Sequence, residues 1–262
     1  MEQPPPYPPT RLVVLALVAF AGGLFLAVLI GGSIVAAQGW RLDVTAAVGA
    51  EAGRAVMQLG RGLPLDDLRP PGFALALLNL PLWIGLIGVP LLDRCNGLEW
   101  RRDLGWTMRP VDVPVGLGVG VATQFLLIPL YELVWLVIDR RDVGQAAEDL
   151  VAHVDGLVDV VAFVVMTAVM APLAEEIVYR GLLYRGIRDM EASHHNLAVG
   201  LAVVVSSLVF AVSHFQLVQF PGLFLFGVVA ALLFQRTGRL ATAIWAHVGF
   251  NATTVVLLLA GP

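Results

Sequence analysis

Three short polar patterns stand in the last third of the chain, each inside a run that is otherwise apolar. Glu175 and Glu176 are followed by Arg180, Phe210 is followed four places on by His214, and His247 is followed four places on by Asn251. An ionisable group at membrane depth costs about 2.5–3.5 kcal/mol by insertion scales, so a chain that keeps several has a use for them. Together these residue types support hydrolysis. A glutamate can take a proton from water as a general base. Histidines can hold that water by hydrogen bonds or, as neutral imidazoles, ligate a metal. A side-chain amide can donate to a developing oxyanion.

Helix geometry divides the work among them. Glu176 and Arg180 are about one turn apart and can pair, whereas Glu175 is rotated by about 100° from Glu176 and faces elsewhere. His247 and Asn251 share a face by the same spacing. We take the inner membrane surface near Arg185, Gly200 and Arg239 for the three helices concerned. At about 1.5 Å rise per residue, Glu175 then lies ~15 Å deep, His214 ~21 Å, His247 ~12 Å and Asn251 ~18 Å. All four fall in one layer, as members of a single site would. Pro172 removes a backbone donor just before Glu175, which should free the carbonyl of Ala168 and kink the helix there.

The elements that must position these residues follow from composition. Of 262 residues, 58% are hydrophobic and 14% charged, against about 25% charged in a soluble domain. The sequence therefore describes an all-α, polytopic integral membrane bundle. At about 20 apolar residues per crossing it predicts roughly seven to eight transmembrane helices. Apolar runs cover about 12–37, 73–92, 113–138 and 220–234, begin near 157 and 197, and end with 240–260. The short sixth run leaves room for an eighth crossing or a re-entrant piece. Residues 1–10, rich in proline, read as a disordered tail, and 11–262 as a single transmembrane domain. A long amphipathic connection spans about 38–71, and an acidic one about 139–156.

All sixteen basic residues are arginine. Arg94, Arg101, Arg102 and Arg109 share one loop with Trp100 and Trp106, which suits interfacial anchors. The arginine distribution places that loop and the N-terminus on the cytoplasmic side. A net charge of −4 argues against a nucleic-acid partner. The lone Cys95 excludes an intramolecular disulfide and a cysteine-based zinc cluster.

At the polar patterns the chain resembles the CPBP family of membrane-embedded proteases. That family includes the type II CAAX prenyl endopeptidases and the bacterial bacteriocin-processing or immunity (Abi) proteins. Its pattern is Glu-Glu-x-x-x-Arg, then Phe-x-x-x-His, then His-x-x-x-Asn. Glu175-Glu176-x-x-x-Arg180, Phe210-x-x-x-His214 and His247-x-x-x-Asn251 match it in full and in order, within a motif core at about 160–257. The resemblance implies an endopeptidase of a bacterial plasma membrane that cuts a peptide or membrane-protein substrate in or near the lipid bilayer. Glu175 would be the general base, His214 and His247 would position the water, and Asn251 would stabilise the oxyanion. Glu176 and Arg180 would orient the site. If zinc is used, Glu175, His214 and His247 are its ligands. No His-Glu-x-x-His pattern is present, and a metal-independent water is the preferred expectation.

Plainer readings stand beside these. Glu175, Glu176 and Arg180 could form a structural ion cluster, and either histidine alone could be an interhelical hydrogen bonder. A proton-coupled transporter also uses buried Glu and His, but the paired halves and broken helices of that class are not evident. A catalytically idle immunity or binding protein of the same family is the third alternative. His194, His195 and Asn196 read as solvated loop, and His153 receives no role. Ser206, Ser207 and Ser213 lack a nucleophile elbow, and Asn251-Ala252-Thr253 is a sequon inside a span and is discarded. Gly116, Gly118 and Gly120 read as packing contacts.

Overall fold

Seven apolar helices, in the places the hydropathy runs predict, make up the described part of the chain. The computed structural model describes residues 6–38, 72–138, 156–190, 195–214, 216 and 219–260. Helix α1 runs Pro9–Leu26 and continues through a π-helical turn, Ala27–Gly31, into Gly32–Gln38. Then come α2 (Gly72–Leu92), α3 (Asp112–Ile138) and the long α4 (Gly156–Asp189). Helices α5 (His195–Val212), α6 (Phe220–Thr237) and α7 (Leu240–Ala260) complete the bundle. Six of these are long and apolar enough to cross a bilayer. The other, α2, has 21 residues and carries Pro81 and Pro90 within it. The connections around 38–71 and 139–156, with His153, lie almost wholly outside the described residues, as do His194 and Met1 to Pro5.

Two expectations change here. The N-terminal segment expected to be disordered up to Thr10 is ordered from Pro6 on. Tyr7 is buried, its N–H donates to Asp103 and its hydroxyl to Asp93, so the arginine-rich loop holds it in place. His195 and Asn196 are not loop but the exposed first turn of α5.

Close packing comes from small residues, because lipid leaves little hydrophobic drive between helices. A Cβ on Gly120 would lie 1.9 Å from the carbonyl oxygen of Ala246, and one on Gly116 would lie 2.8 Å from that of Thr242. These contacts draw α3 and α7 backbone to backbone, the most extensive helix pair in the fold. Gly118, expected to behave alike, faces open space. Helices α1 and α2 meet in the same way at Gly23 and Gly85.

One end of the bundle gathers the arginines. Arg185 donates to the Arg102 carbonyl at 2.6 Å, and Leu240 N–H donates to Gly105 at 2.8 Å. Arg239 grips Asp112 through Nη2 at 2.6 Å and Nε at 2.8 Å. The N-terminus, the 93–112 loop, the end of α4 and the α6–α7 turn therefore lie on the same side.

Candidate active site

Helix α4 is at the centre of the bundle and is irregular where it carries the polar residues. A π-helical turn, Met166–Met170, precedes a short α-helical stretch, Ala171–Glu176, and a second π-helical stretch, Ile177–Tyr184, follows. Such insertions recur at functional sites. Pro172 explains the first. In the π register the Ala171 N–H donates to Met166. The next donor, due to the Thr167 carbonyl, would be that of Pro172, which has none. The carbonyl opened by the proline and met by a side chain is thus Thr167, not Ala168. The π turn moves the break one residue back.

Glu176 and Arg180 are both fully buried and paired, Arg180 Nη1 to Glu176 Oε1 at 2.7 Å. Arg180 also donates to the Gly227 carbonyl of α6 at 3.1 Å, and its guanidinium lies 4.7 Å above the Phe210 ring. Glu176 Oε1 accepts a second bond, from His247 Nδ1 of α7 at 2.9 Å. These contacts join α4 to α5, α6 and α7 around one carboxylate.

Glu175 has a different environment. Its side chain is 19% exposed, and its Oε2 is a buried atom with no hydrogen-bond partner. That oxygen lies 3.8 Å from His214 Nε2 and 3.9 Å from His247 Nε2. The tautomers follow from the opposite ring nitrogens. His214 Nδ1 lies 2.7 Å from the Phe210 carbonyl, which can only accept, so Nδ1 carries the proton. His247 Nδ1 faces an arginine-paired carboxylate and is likewise the donor. In its neutral form each ring would turn an Nε2 lone pair toward Glu175 Oε2. With Glu175 Oε2 they make a trio of acceptor atoms.

Such a trio suits a water, and its chemistry also suits zinc. Two histidines and a glutamate with an open position form a known catalytic zinc set. The described side chains nevertheless form no three-ligand metal cluster as they stand. Bonds of about 2.0–2.1 Å in a tetrahedron need donors about 3.4 Å apart, so each histidine Nε2 would have to approach Glu175 Oε2 by roughly half an ångström. The donors fit zinc in kind.

Asn251 lies one turn beyond His247 but reaches elsewhere. Its Nδ2 donates to the Thr167 carbonyl at 2.8 Å. Among the described residues it makes no hydrogen bond to Glu175, His214 or His247. Four further residues that carry no motif in the sequence shape the site. Tyr179 donates to Ser213 Oγ at 2.7 Å, and Ser213 donates to the Phe210 carbonyl at 2.8 Å. Phe226 packs on His247 with ring centres 4.9 Å apart. Thr167 contributes only its backbone. Helical spacing could have found Tyr179, one turn beyond Glu175 on the same helix; the others depend on contacts between helices.

Fold and site define a polytopic helical membrane protein with a buried Glu–His centre. Residues 157–253 match the family described as type II CAAX prenyl endopeptidase, Rce1-like. The chain is 31% identical over 100 residues to the membrane-embedded CAAX protease MroQ of Staphylococcus aureus (strain USA300), covering 38% of this chain and 40% of that protein. It is 24% identical over 117 residues to the putative membrane peptidase YdiL of Bacillus subtilis (strain 168), covering 45% of this chain and 46% of that one. The matched stretch spans less than half the length of either relative. No solved structure matches. Through residues 157–253 the chain is similar to the CPBP family, a family of CAAX protease-like membrane peptidases.

Proposed function

We propose that the chain is an intramembrane endopeptidase that hydrolyses a peptide bond with a water held between Glu175, His214 and His247. The observation that supports this reading is that His214 Nε2 and His247 Nε2 lie 3.8 Å and 3.9 Å from Glu175 Oε2, where the buried polar cluster is partly open. A water there donates one proton to Glu175 and the other to an imidazole Nε2. As its oxygen attacks the scissile carbonyl carbon, Glu175 takes the first proton and a tetrahedral oxyanion forms. When the C–N bond breaks, Glu175 returns that proton to the leaving amine, giving acid and amine products. Glu176 and Arg180 act through His247 by fixing its tautomer and its ring.

The substrate is an apolar peptide segment. A cavity of about 350 Å³ lies between α4, α7 and the 105–108 loop, lined by Leu173, Val248, Trp245 and Met108 among others. Its lining includes none of Glu175, His214 and His247, and Leu173 and Val248 are the lining residues nearest to them along α4 and α7. We place the arginine-rich end, with the N-terminus, in the cytoplasm of a bacterial cell. An impermeant maleimide should therefore label the exposed Cys95 only after permeabilisation; labelling of intact cells would reverse the orientation.

Zinc is the second reading, favoured by the donor set itself. Glu175, His214 and His247 would hold it, and the ion would supply a more acidic water and a Lewis acid. Purified protein in detergent would be assayed for cleavage of apolar peptides, with and without a chelator, and in liposomes for proton flux. Cleavage that survives chelation supports the metal-free water. Loss on chelation with recovery on adding zinc, and a matching shift in melting temperature, supports the ion. Proton flux without cleavage would overturn both in favour of transport.

A further inference from the structure

At the arginine-rich end every described carboxylate is already engaged. Asp112 is held by Arg239 and Thr242, Asp103 and Glu99 by Arg102, and Asp189 by Arg188. Asp93 accepts from the Tyr7 hydroxyl and from Asn96, the latter at 2.6 Å. Arg94, Arg101, Arg109 and Arg236 are exposed, and among the described residues their side chains make no hydrogen bond, ion pair or ring contact. That end therefore carries positive charge that the fold does not neutralise.

Retention of a loop in the cytoplasm asks only that arginines stand somewhere in it. Arg109 has a particular place. It directly follows Met108, which lines the apolar cavity together with Trp106 and Thr107. Met108 is 57% exposed, so Arg109 stands where the lining meets the outside. Its backbone is fixed on both sides: the Arg109 N–H donates to Asp112 at 2.6 Å, and its carbonyl accepts from the Asp112 N–H at 2.9 Å. Asp112 is the carboxylate nearest to it in sequence, and its side chain is committed to Arg239 and Thr242. The Arg109 guanidinium is left to solvent.

We propose that the substrate is an apolar peptide with an acidic flank, whose apolar residues fill the cavity while an aspartate or glutamate side chain just outside it meets Arg109. This rests on the endopeptidase reading and names its substrate class. The lining carries no charged side chain, so an ionised residue of the substrate belongs beyond the mouth. There a guanidinium can bind a carboxylate through two parallel bonds. The other exposed arginines add a field that draws an acidic flank to this end and turns a lysine flank away. A charge at the rim acts on capture and not on the reacting atoms, so it sets KM and its salt dependence and leaves kcat alone.

The test uses the full-length protein in non-ionic detergent and three amidated leucine-rich peptides. They differ at one end only, which carries two aspartates, two asparagines or two lysines, and each is made with that end at either terminus. The aspartate peptide should have the lowest KM and the lysine peptide the highest, at similar kcat. Arg109→Gln should raise KM up to about fivefold for the aspartate peptide, as an exposed pair allows, and much less for the asparagine one, with melting near the parent. The preference should fade between about 0.01 M and 1 M salt, as the screening length falls from about 30 Å to about 3 Å. Arg94→Gln, which removes the same charge at the end of α2, should act less. Equal KM for the three peptides, or an Arg94→Gln effect as large as that of Arg109→Gln, overturns the proposal. So does an Arg109→Gln effect that needs added anionic phospholipid and is the same for every peptide, which would assign the arginine to the membrane surface. Three peptides cut equally well leave the protease reading standing while the acidic flank falls. If none is cut, fluorescence anisotropy of the same labelled peptides decides: tighter binding of the aspartate peptide that Arg109→Gln weakens upholds the flank, and equal binding sinks it.

Discussion

Two of the buried carboxylate–arginine clusters among the described residues are built to opposite specifications. At the arginine-rich end, Asp112 takes three bonds from Nε and Nη2 of Arg239, one from Thr242 at 2.8 Å and one from the Arg109 N–H at 2.6 Å. Both of its oxygens are engaged. In the middle of α4, Glu175 Oε2, Glu176 Oε2 and Arg180 Nε are all buried without a partner among the described residues. Buried polar atoms are normally satisfied, and those that are not call for a reason. A closed cluster fastens helices, whereas an open one keeps capacity for something that arrives. The closed cluster fixes the α3–α7 pair, and that pair carries His247 to the open one.

Substitutions at the open cluster should separate reaction from stability. Glu175→Gln keeps shape and hydrogen bonding but cannot take the proton of water. Turnover should fall about 10²–10⁴-fold, while the melting temperature in detergent stays near the parent. The orphaned Oε2 means that few stabilising contacts are lost. Glu176→Gln should do the reverse. It leaves Arg180 and His247, both almost wholly buried, with a neutral partner, and breaking a buried pair costs up to about 3–5 kcal/mol. Melting should drop first and activity follow. A Glu176→Gln variant that melts normally but is dead, beside a Glu175→Gln variant that still cuts, would exchange the roles of the two.

At the closed cluster only stability should respond. Asp112→Asn keeps an acceptor for Thr242 but removes the charge that faces Arg239. Hydrogen bonds to charged groups contribute about 1.5–3 kcal/mol each, and Arg239 is 18% exposed, so water recovers part of the loss. The melting temperature should fall less than for Glu176→Gln. Activity per folded molecule should persist at a temperature well below the transition. An activity loss larger than the folded fraction explains would show that Asp112 does more than fasten α3 to α7.

Much of this contrast is legible in the amino-acid sequence. The bilayer demands long apolar runs, so the helices announce themselves, and charged residues within such runs are conspicuous. Thus Glu175, Glu176, Arg180, His214, His247 and Asn251 can all be read as candidates. The Asp112–Arg239 pair cannot, because its members are 127 residues apart and each looks like an ordinary interfacial charge. The π turns are also hidden. One extra residue per turn leaves no mark in an apolar stretch, and the proline alone points to Ala168 when the open carbonyl is Thr167. The depth arithmetic puts Asn251 level with the other site residues, but depth says nothing about direction. Its amide turns to the backbone of α4.

The smallest expected effect lies at the rim of the open cluster and tests how far its influence extends. Tyr179 is one turn beyond Glu175, is 3% exposed, and packs edge-on against Phe210 with ring centres 5.3 Å apart. Its hydroxyl donates to Ser213, which donates to the Phe210 carbonyl that also receives His214 Nδ1. Tyr179→Phe removes one hydroxyl and keeps the ring contact. His214 retains its own 2.7 Å bond to that carbonyl, so its tautomer and direction should hold. Ser213 keeps its bond to Phe210 and loses only the donor above it. A neutral hydrogen bond contributes about 0.5–1.5 kcal/mol net, which sets a ceiling of roughly tenfold on turnover and a small shift in melting. Ser213→Ala should cost about the same, and the double variant little more than either single one, since both act through one carbonyl. A Tyr179→Phe loss near that of Glu175→Gln would move the tyrosine from the rim of the cluster to its reacting centre.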